Sequence, residues 1–309
     1  METQQQGSAK LGKSQFCEFT SGERRTDDFT LEYNLRTPRG KHERESSSPK
    51  VGLGALDIFP NEVLHCILAQ LDLRALTNFH YVNRRARNLA ASLPLYKCIR
   101  THARNVLRCI LGNSVGSWIT LETLYQALCT AECASCGAFG GYLYLQTCTR
   151  ICYPCFTKPQ GSFQVMRSFT LTRPLLNTLP RMPSRAGTYS SRAKKYRAGL
   201  GLADGKSAWQ AALAPHNSVA TLEYCVREVA EQKSARWTSK SSASRPRRTG
   251  APRDDKEGNQ SRFMAVVRAP WLDRSSHRVE WGAYCKGRKS MLYGENSVYF
   301  PDESSLRLR

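Results

Sequence analysis

Two closely spaced pairs of cysteines, Cys133-Ala134-Ser135-Cys136 and Cys152-Tyr153-Pro154-Cys155, stand fifteen residues apart. A C-x2-C turn places two sulfurs on one side of a metal and leaves backbone amides free to hydrogen-bond them. Two such turns at this separation match a tetrahedral four-thiolate zinc site, with Cys133, Cys136, Cys152 and Cys155 as ligands. With four protein sulfurs there is no open position for water, so the expected role of the zinc is structural. Cys129 and Cys148 each lie four residues before a knuckle cysteine. Their looser spacing reads as small buried thiols, although either could replace a knuckle cysteine as a ligand. Cys17, Cys66, Cys98, Cys109, Cys225 and Cys285 have no close partner in sequence, and Cys66, Cys98 and Cys109 sit in helical patterns that read as core. The start, Met1-Glu2-Thr3-Gln4-Gln5-Gln6, has neither a basic nor an apolar leader segment. A reducing compartment, cytoplasmic and/or nuclear, is therefore expected, and disulfides are not.

The elements around the knuckles follow from local composition. Gly137 comes directly after the first pair, where a turn often needs positive φ, and Gly140 and Gly141 lead into the alternating run Tyr142-Leu143-Tyr144-Leu145, which reads as a strand. The order knuckle, glycine turn, strand, knuckle is zinc-ribbon-like. A helix from Leu121 to Leu128 is expected to precede it.

Upstream, Leu56 to Ala90 reads as three short helices. Pro60 suits a first helical turn and Glu62 favours its dipole, while Val63, Leu64, Ile67, Leu68 and Leu71 recur at helical spacing. Asp72 is a good N-cap for a second helix carrying Leu73, Leu76 and Phe79. A third, from about Val82 to Ala91, puts Val82, Ala86 and Leu89 on one side and Arg84, Arg85 and Arg87 largely elsewhere. So short a module cannot bury all its apolar surface alone, which predicts a partner.

The run from Leu56-Asp57-Ile58-Phe59-Pro60-Asn61-Glu62-Val63-Leu64 through Ile67-Leu68, Leu71-Asp72 and Val82-Asn83-Arg84-Arg85 resembles an F-box. The resemblance implies docking on the Skp-type adaptor of a cullin-RING ubiquitin ligase, and presentation of an unknown protein substrate. Carried over by position, Pro60, Leu64, Ile67, Leu68, Leu71, Leu73, Leu76 and Val82 become the adaptor-binding or module-packing residues. The order F-box, helices, Cys-x2-Cys, Gly137 to Leu143 and Cys152 to Phe156 is further similar to a group of fungal F-box proteins. In these a helix like that around Lys206 to Leu213 follows, and a C-terminal strand pair ends in another C-x2-C. Here Cys285-Lys286-Gly287-Arg288 has Arg288 at the second cysteine position, so no second complete metal site is expected.

The chain has 309 residues and a formal charge of +21, and from residue 158 onward 28 Lys and Arg face 12 Asp and Glu. A basic surface of this kind could hold nucleic acid, so a basic zinc-ribbon nucleic-acid-binding protein stays open as an alternative, as does an F-box protein acting outside a ligase. Arg245-Pro246-Arg247-Arg248, however, is dispersed among Ser and Pro with few aromatics placed to stack bases. No His-Glu-x-x-His, P-loop, Gly-x-Ser-x-Gly or Gly-x-Gly-x-x-Gly stands out, which argues for a non-catalytic subunit. No apolar run approaches a membrane span. The expected fold is mainly α with a small zinc-stapled β element. Its parts are a disordered 1–52, an F-box at 53–100, helices and knuckles at 101–160, a helical region at 161–238, a basic disordered linker at 239–260, and short strands and a tail at 261–309, with strands at Phe263 to Val267 and Val279 to Tyr284.

Overall fold

Capping side chains divide the first half of the computed structural model into short helices. The described residues are 20–21, 28–35, 51–158, 165–167, 179–190, 194–196, 201–214, 260–275, 278–281 and 284–285. After a 3-10 turn at Gly54–Ile58 come α1 (Asn61–Ala69), α2 (Leu73–Val82), α3 (Arg84–Ser92), α4 (Pro94–His102), α5 (Arg104–Gly112) and α6 (Leu121–Cys129). Asp72 Oδ1 accepts from Ala75 N at 2.8 Å and Asn83 Oδ1 from Ala86 N at 2.8 Å, each closing an otherwise unpaired first-turn amide. Thr120 does the same for α6 through Thr123 N, and Pro94 opens α4 where its missing N–H costs nothing. Because Asn83 is extended and acts as the cap, the third helix starts at Arg84. Val82 instead ends α2, where it is exposed, so its expected packing role is corrected.

The described residues of the second half are mainly short strands with three short helices. β2 (Tyr142–Tyr144) and β3 (Thr149–Ile151) form an antiparallel hairpin, and α7 (Tyr153–Thr157) follows directly. Before them in the chain, β1 (Thr20–Ser21) pairs with the last described strand, β12 (Tyr284–Cys285). Between 161 and 238, where helix was expected, β4 (Val165–Arg167), β5 (Arg181–Pro183), β6 (Gly187–Tyr189), β7 (Lys194–Tyr196) and β8 (Gly201–Asp204) make a three-stranded sheet of order β4-β8-β5 and a β6-β7 hairpin. Among the described residues there, α8 (Gly205–Leu213), capped by Asp204 at Ser207 N, is the helix foreseen, and 215–238 lie outside the described residues. Strands of three or four residues are too short to show a period of two, which hid them in the sequence.

The C-terminal expectation also changes. Phe263 lies in α9 (Gln260–Met264), not in a strand, and β9 (Val266–Arg268) pairs with β2 rather than with a C-terminal neighbour. The separate β10 (Trp271–Leu272) and β11 (Val279–Glu280) pair with each other. Residues 239–259, read as a linker, lie outside the described residues. Within the N-terminal region expected to be disordered, residues 28–35 are packed instead. Leu31 is 1% exposed, Tyr142 OH donates to Asp28 Oδ2 at 3.0 Å, and the Asn34 amide both donates to Thr188 O and accepts from Thr188 N at 2.8 Å. A side chain at Gly187 would collide with Asn34, so that close approach requires glycine. One continuous apolar core runs from Leu64 and Leu76 in the helices through Tyr142 and Ile151 to Phe263 and Val267.

Candidate functional site

Two features in this framework have the makings of a site: an apolar strip on the first helices and a cluster of four thiols. The strip begins in the 3-10 turn. Asp57 accepts from Leu53 N at 2.5 Å and pairs with Arg85 Nε at 3.2 Å, while Asn83 Nδ2 donates to Gly52 O, so the turn is pinned against the start of α3. Ile58, 82% exposed, projects from that turn. Phe59, Val63 and Ile67 continue the exposed surface along α1, and Tyr81 and Val82 stand exposed at the end of α2. Exposed apolar side chains grouped in this way mark an interaction face.

The sequence-derived docking residues divide into two sets. Leu64, Leu68, Leu73 and Leu76 are buried at 4% exposure or less and fill the bundle interior, which is the module-packing alternative for these positions. Helical spacing identified an apolar face on α1 but not that the core, with α3 against α1, would cover its Leu64–Leu68 side. Ile67 and Val82 are exposed, Pro60 is exposed at the N-cap of α1, and Leu71 is half-buried. Leu56, Ile58, Phe59 and Tyr81 were missed as surface residues. Their position before the first helix or at the end of the second gave no periodic signal.

Residues 56–98 match the F-box domain. No curated protein and no solved structure matches the chain. The F-box therefore spans α1 to α3 and ends inside α4, with the thiol cluster lying outside it. F-box proteins are usually non-catalytic substrate adaptors, and the domain suggests a role of that type beside a ubiquitin ligase. Among the described residues no helix is long and apolar enough to cross a membrane.

The thiol cluster is assembled from both ends of the β2–β3 hairpin. The first knuckle leaves α6 and turns back on itself: Cys133 N donates to Ala138 O at 2.6 Å and Gly137 N to Cys133 O at 3.0 Å, with Gly137 at φ +73° as its position required. Ala134 N then bonds Arg150 O at 3.0 Å, which ties this knuckle to β3. The second knuckle follows β3, with Cys152 as N-cap of α7 and Cys155 in its first turn. The sulfurs of Cys133, Cys136, Cys152 and Cys155 all lie within 4.8 Å of one another, and Cys136 Sγ and Cys152 Sγ are 3.5 Å apart. These four could hold a metal ion. A tetrahedral site with metal–sulfur bonds of about 2.3 Å needs sulfurs about 3.8 Å apart, which that spread accommodates.

The electrostatics favour a cation here. Cys133 and Cys152 are buried, Cys155 is half-buried and Cys136 is exposed. A hydrogen bond from Cys152, helped by the Ser135 amide 3.4 Å from its sulfur, holds Cys133 well below the ordinary thiol range, and the same bond pushes Cys152 up. Burial raises Cys155 to about 11. Four thiolates this close cannot ionise together without a cation among them. The other candidates stand apart. Cys148, buried and pushed up to about 12 by burial, sits at φ +53° in the hairpin turn, and Cys129 ends α6; neither belongs to the cluster. Cys109 is core as expected, whereas Cys66 is exposed on α1.

Two buried arginines surround the cluster, and no sequence signal marked either. The Arg150 guanidinium donates to Gly140 O at 2.7 Å, Ala269 O at 2.8 Å, Ala127 O at 3.0 Å, Leu128 O at 3.1 Å and also to Pro270 O. Burial lowers its pKa to about 9. Arg262 Nη1 donates to Thr157 O at 2.7 Å and Lys158 O at 2.5 Å, closing the C-terminal end of α7. Both satisfy backbone carbonyls at helix ends, where a cation also complements the helix dipole.

Proposed function

We propose that this chain is a substrate-receptor subunit that docks its F-box on a Skp-type adaptor of a cullin-RING ubiquitin ligase and presents a protein substrate. We further propose that Cys133, Cys136, Cys152 and Cys155 hold one structural zinc ion. The observation that carries the docking reading is the surface at Ile58, Phe59, Val63 and Ile67, left exposed while Leu64 and Leu68 on the same helix are buried. An apolar strip beside an already filled core gains by covering with a partner rather than by repacking.

Zinc is the metal that an all-cysteine, four-sulfur donor set suits best, since soft thiolates select it over the oxygen-preferring cations. When bound, it would supply a crosslink between the two knuckles and offset part of the negative charge of the four thiolates. The chain's own part is to aim four sulfurs at one point, shield Cys133 and Cys152 from water, and stabilise thiolate at Cys133 through the Ser135 amide. Co-purification with a recombinant Skp-type adaptor at moderate and high salt tests the docking reading. An apolar interface survives salt, whereas phosphate contacts of a nucleic-acid binder do not. Loss of the complex on raising the salt, with retention of DNA or RNA at low salt, would favour the nucleic-acid alternative. Elemental analysis of protein purified without chelator tests the metal, with one zinc per chain expected.

A further inference from the structure

We infer that the segment Gln260–Ser275 is a clasp on which the four-thiol site depends, and that Arg150 is the positioning residue that couples them. This rests on the zinc reading above and adds to it a requirement that the knuckles do not reveal. A two-stranded hairpin of three-residue strands is marginal in water, and a third strand is what ordinarily makes such a unit persist. Here that strand comes from more than a hundred residues later. Val266, Val267 and Arg268 pair with Tyr144, Leu143 and Tyr142, and the bonds Leu145 N to Ala265 O and Ala269 N to Gly141 O extend the ladder at both ends. From Ser261 to Val267 every residue is buried at 3% exposure or less. The clasp supplies a buried edge strand of the knuckle sheet, with β2 between it and β3.

Arg150 lies two residues before Cys152, and its guanidinium joins the chain on both sides of the first knuckle to the clasp. Ala127 and Leu128 end the helix that leads into the first knuckle, Gly140 lies where the chain leaves it, and Ala269 and Pro270 belong to the clasp. The Arg150 carbonyl also receives Ala134 N from between the first two cysteines. Withdrawing the clasp would remove two of the five acceptors of this guanidinium and the strand that covers it, which is costly enough to disturb the rest. The second knuckle is held from the same side. Arg262 binds the last carbonyls of α7, and Phe263 packs edge-on to Phe156 with ring centroids 5.2 Å apart. Partners outside the ligand set commonly change metal affinity by about 10- to 100-fold.

The test uses the full-length zinc-loaded chain with two variants, Arg150→Met and Ala269→Pro. The first keeps length and apolar volume but removes the five donated bonds; the second removes the amide that bonds Gly141 O. Transfer of zinc to a chromophoric chelator should be faster by about tenfold or more in both. The sulfur-to-cobalt absorption of the cobalt-substituted forms should shift from that of wild type. If Arg150 only fills space, Met fills it as well, and a wild-type release rate with an unshifted cobalt spectrum would overturn the inference. Should either variant fail to fold, hydrogen exchange on the wild-type chain decides, because coupling is reciprocal. Stripping the metal should then lower protection of the amides at 265–269, and unchanged protection there overturns the clasp. A wild-type chain that takes up no zinc defeats the metal reading itself and the inference with it, and zinc content separates that failure from the others.

Discussion

Replacing Ile58 and Ile67 together by alanine should break docking without unfolding the chain. Full burial of such a side chain is worth about 1.5 to 3 kcal/mol. Ile58 is 82% exposed and Ile67 45%, so a partner covering both would remove from water about four-fifths of one side chain and nearly half of the other. Together that amounts to about 2 to 4 kcal/mol, of which alanine retains a small part, or a weakening of about 30- to 1,000-fold in Kd. Thermal stability should hardly change, because these side chains contribute little to the core. Leu64→Ala with Leu68→Ala is the contrasting pair. These residues are 2% and 4% exposed, and each truncation should cost about 2 to 5 kcal/mol of stability, so any binding they lose is lost through unfolding. The assay is isothermal calorimetry against a purified Skp-type adaptor, with circular dichroism melts on the same samples. An Ile58–Ile67 double variant that binds as tightly as wild type would refute the docking face. So would a Leu64–Leu68 variant that melts like wild type yet fails to bind, since that would return the partner to the inner face.

Cys152→Ser should release the metal and expose the region from Gly137 to Phe156 to protease, because a closed thiolate site is coupled to folding, while Cys148→Ser should keep the metal; elemental analysis with limited proteolysis reads both. Gly137→Ala should cost about 1 to 2 kcal/mol in a denaturant melt through its φ of +73° alone, since nothing lies within 4 Å of the added carbon, and Gly137→Asn should cost less. Asp72→Ala should lower stability by about 0.5 to 2 kcal/mol, measured by urea unfolding, through loss of the bond to Ala75 N. In the native chain at pH 8, iodoacetamide should label exposed Cys66 readily and leave Cys148 unmodified, because burial keeps the Cys148 thiol protonated and shielded, with peptide mass mapping as the readout.

The sequence by itself determined the local chemistry. The C-x2-C spacing selected the four sulfurs that gather, Gly137 marked its own positive φ, and Asp72 and the apolar spacing of α1 and α2 marked the helices of the F-box. All of these are short-range, set by covalent geometry, capping and periodicity within a few residues. Tertiary structure alone decided which side of α1 is covered, because Leu64 and Ile67 are equally apolar in the sequence and only packing into the common core distinguishes them. It also decided that Leu31 and residues 263–267 belong to the core. Unlike the alternating Tyr142–Tyr144 run, β9 shows no readable period, and its pairing is fixed by contact with chain more than a hundred residues away. Arg150 shows the same limit: in the sequence it is one arginine among many, and only the convergence of five carbonyls from three separate segments makes it a buried hub.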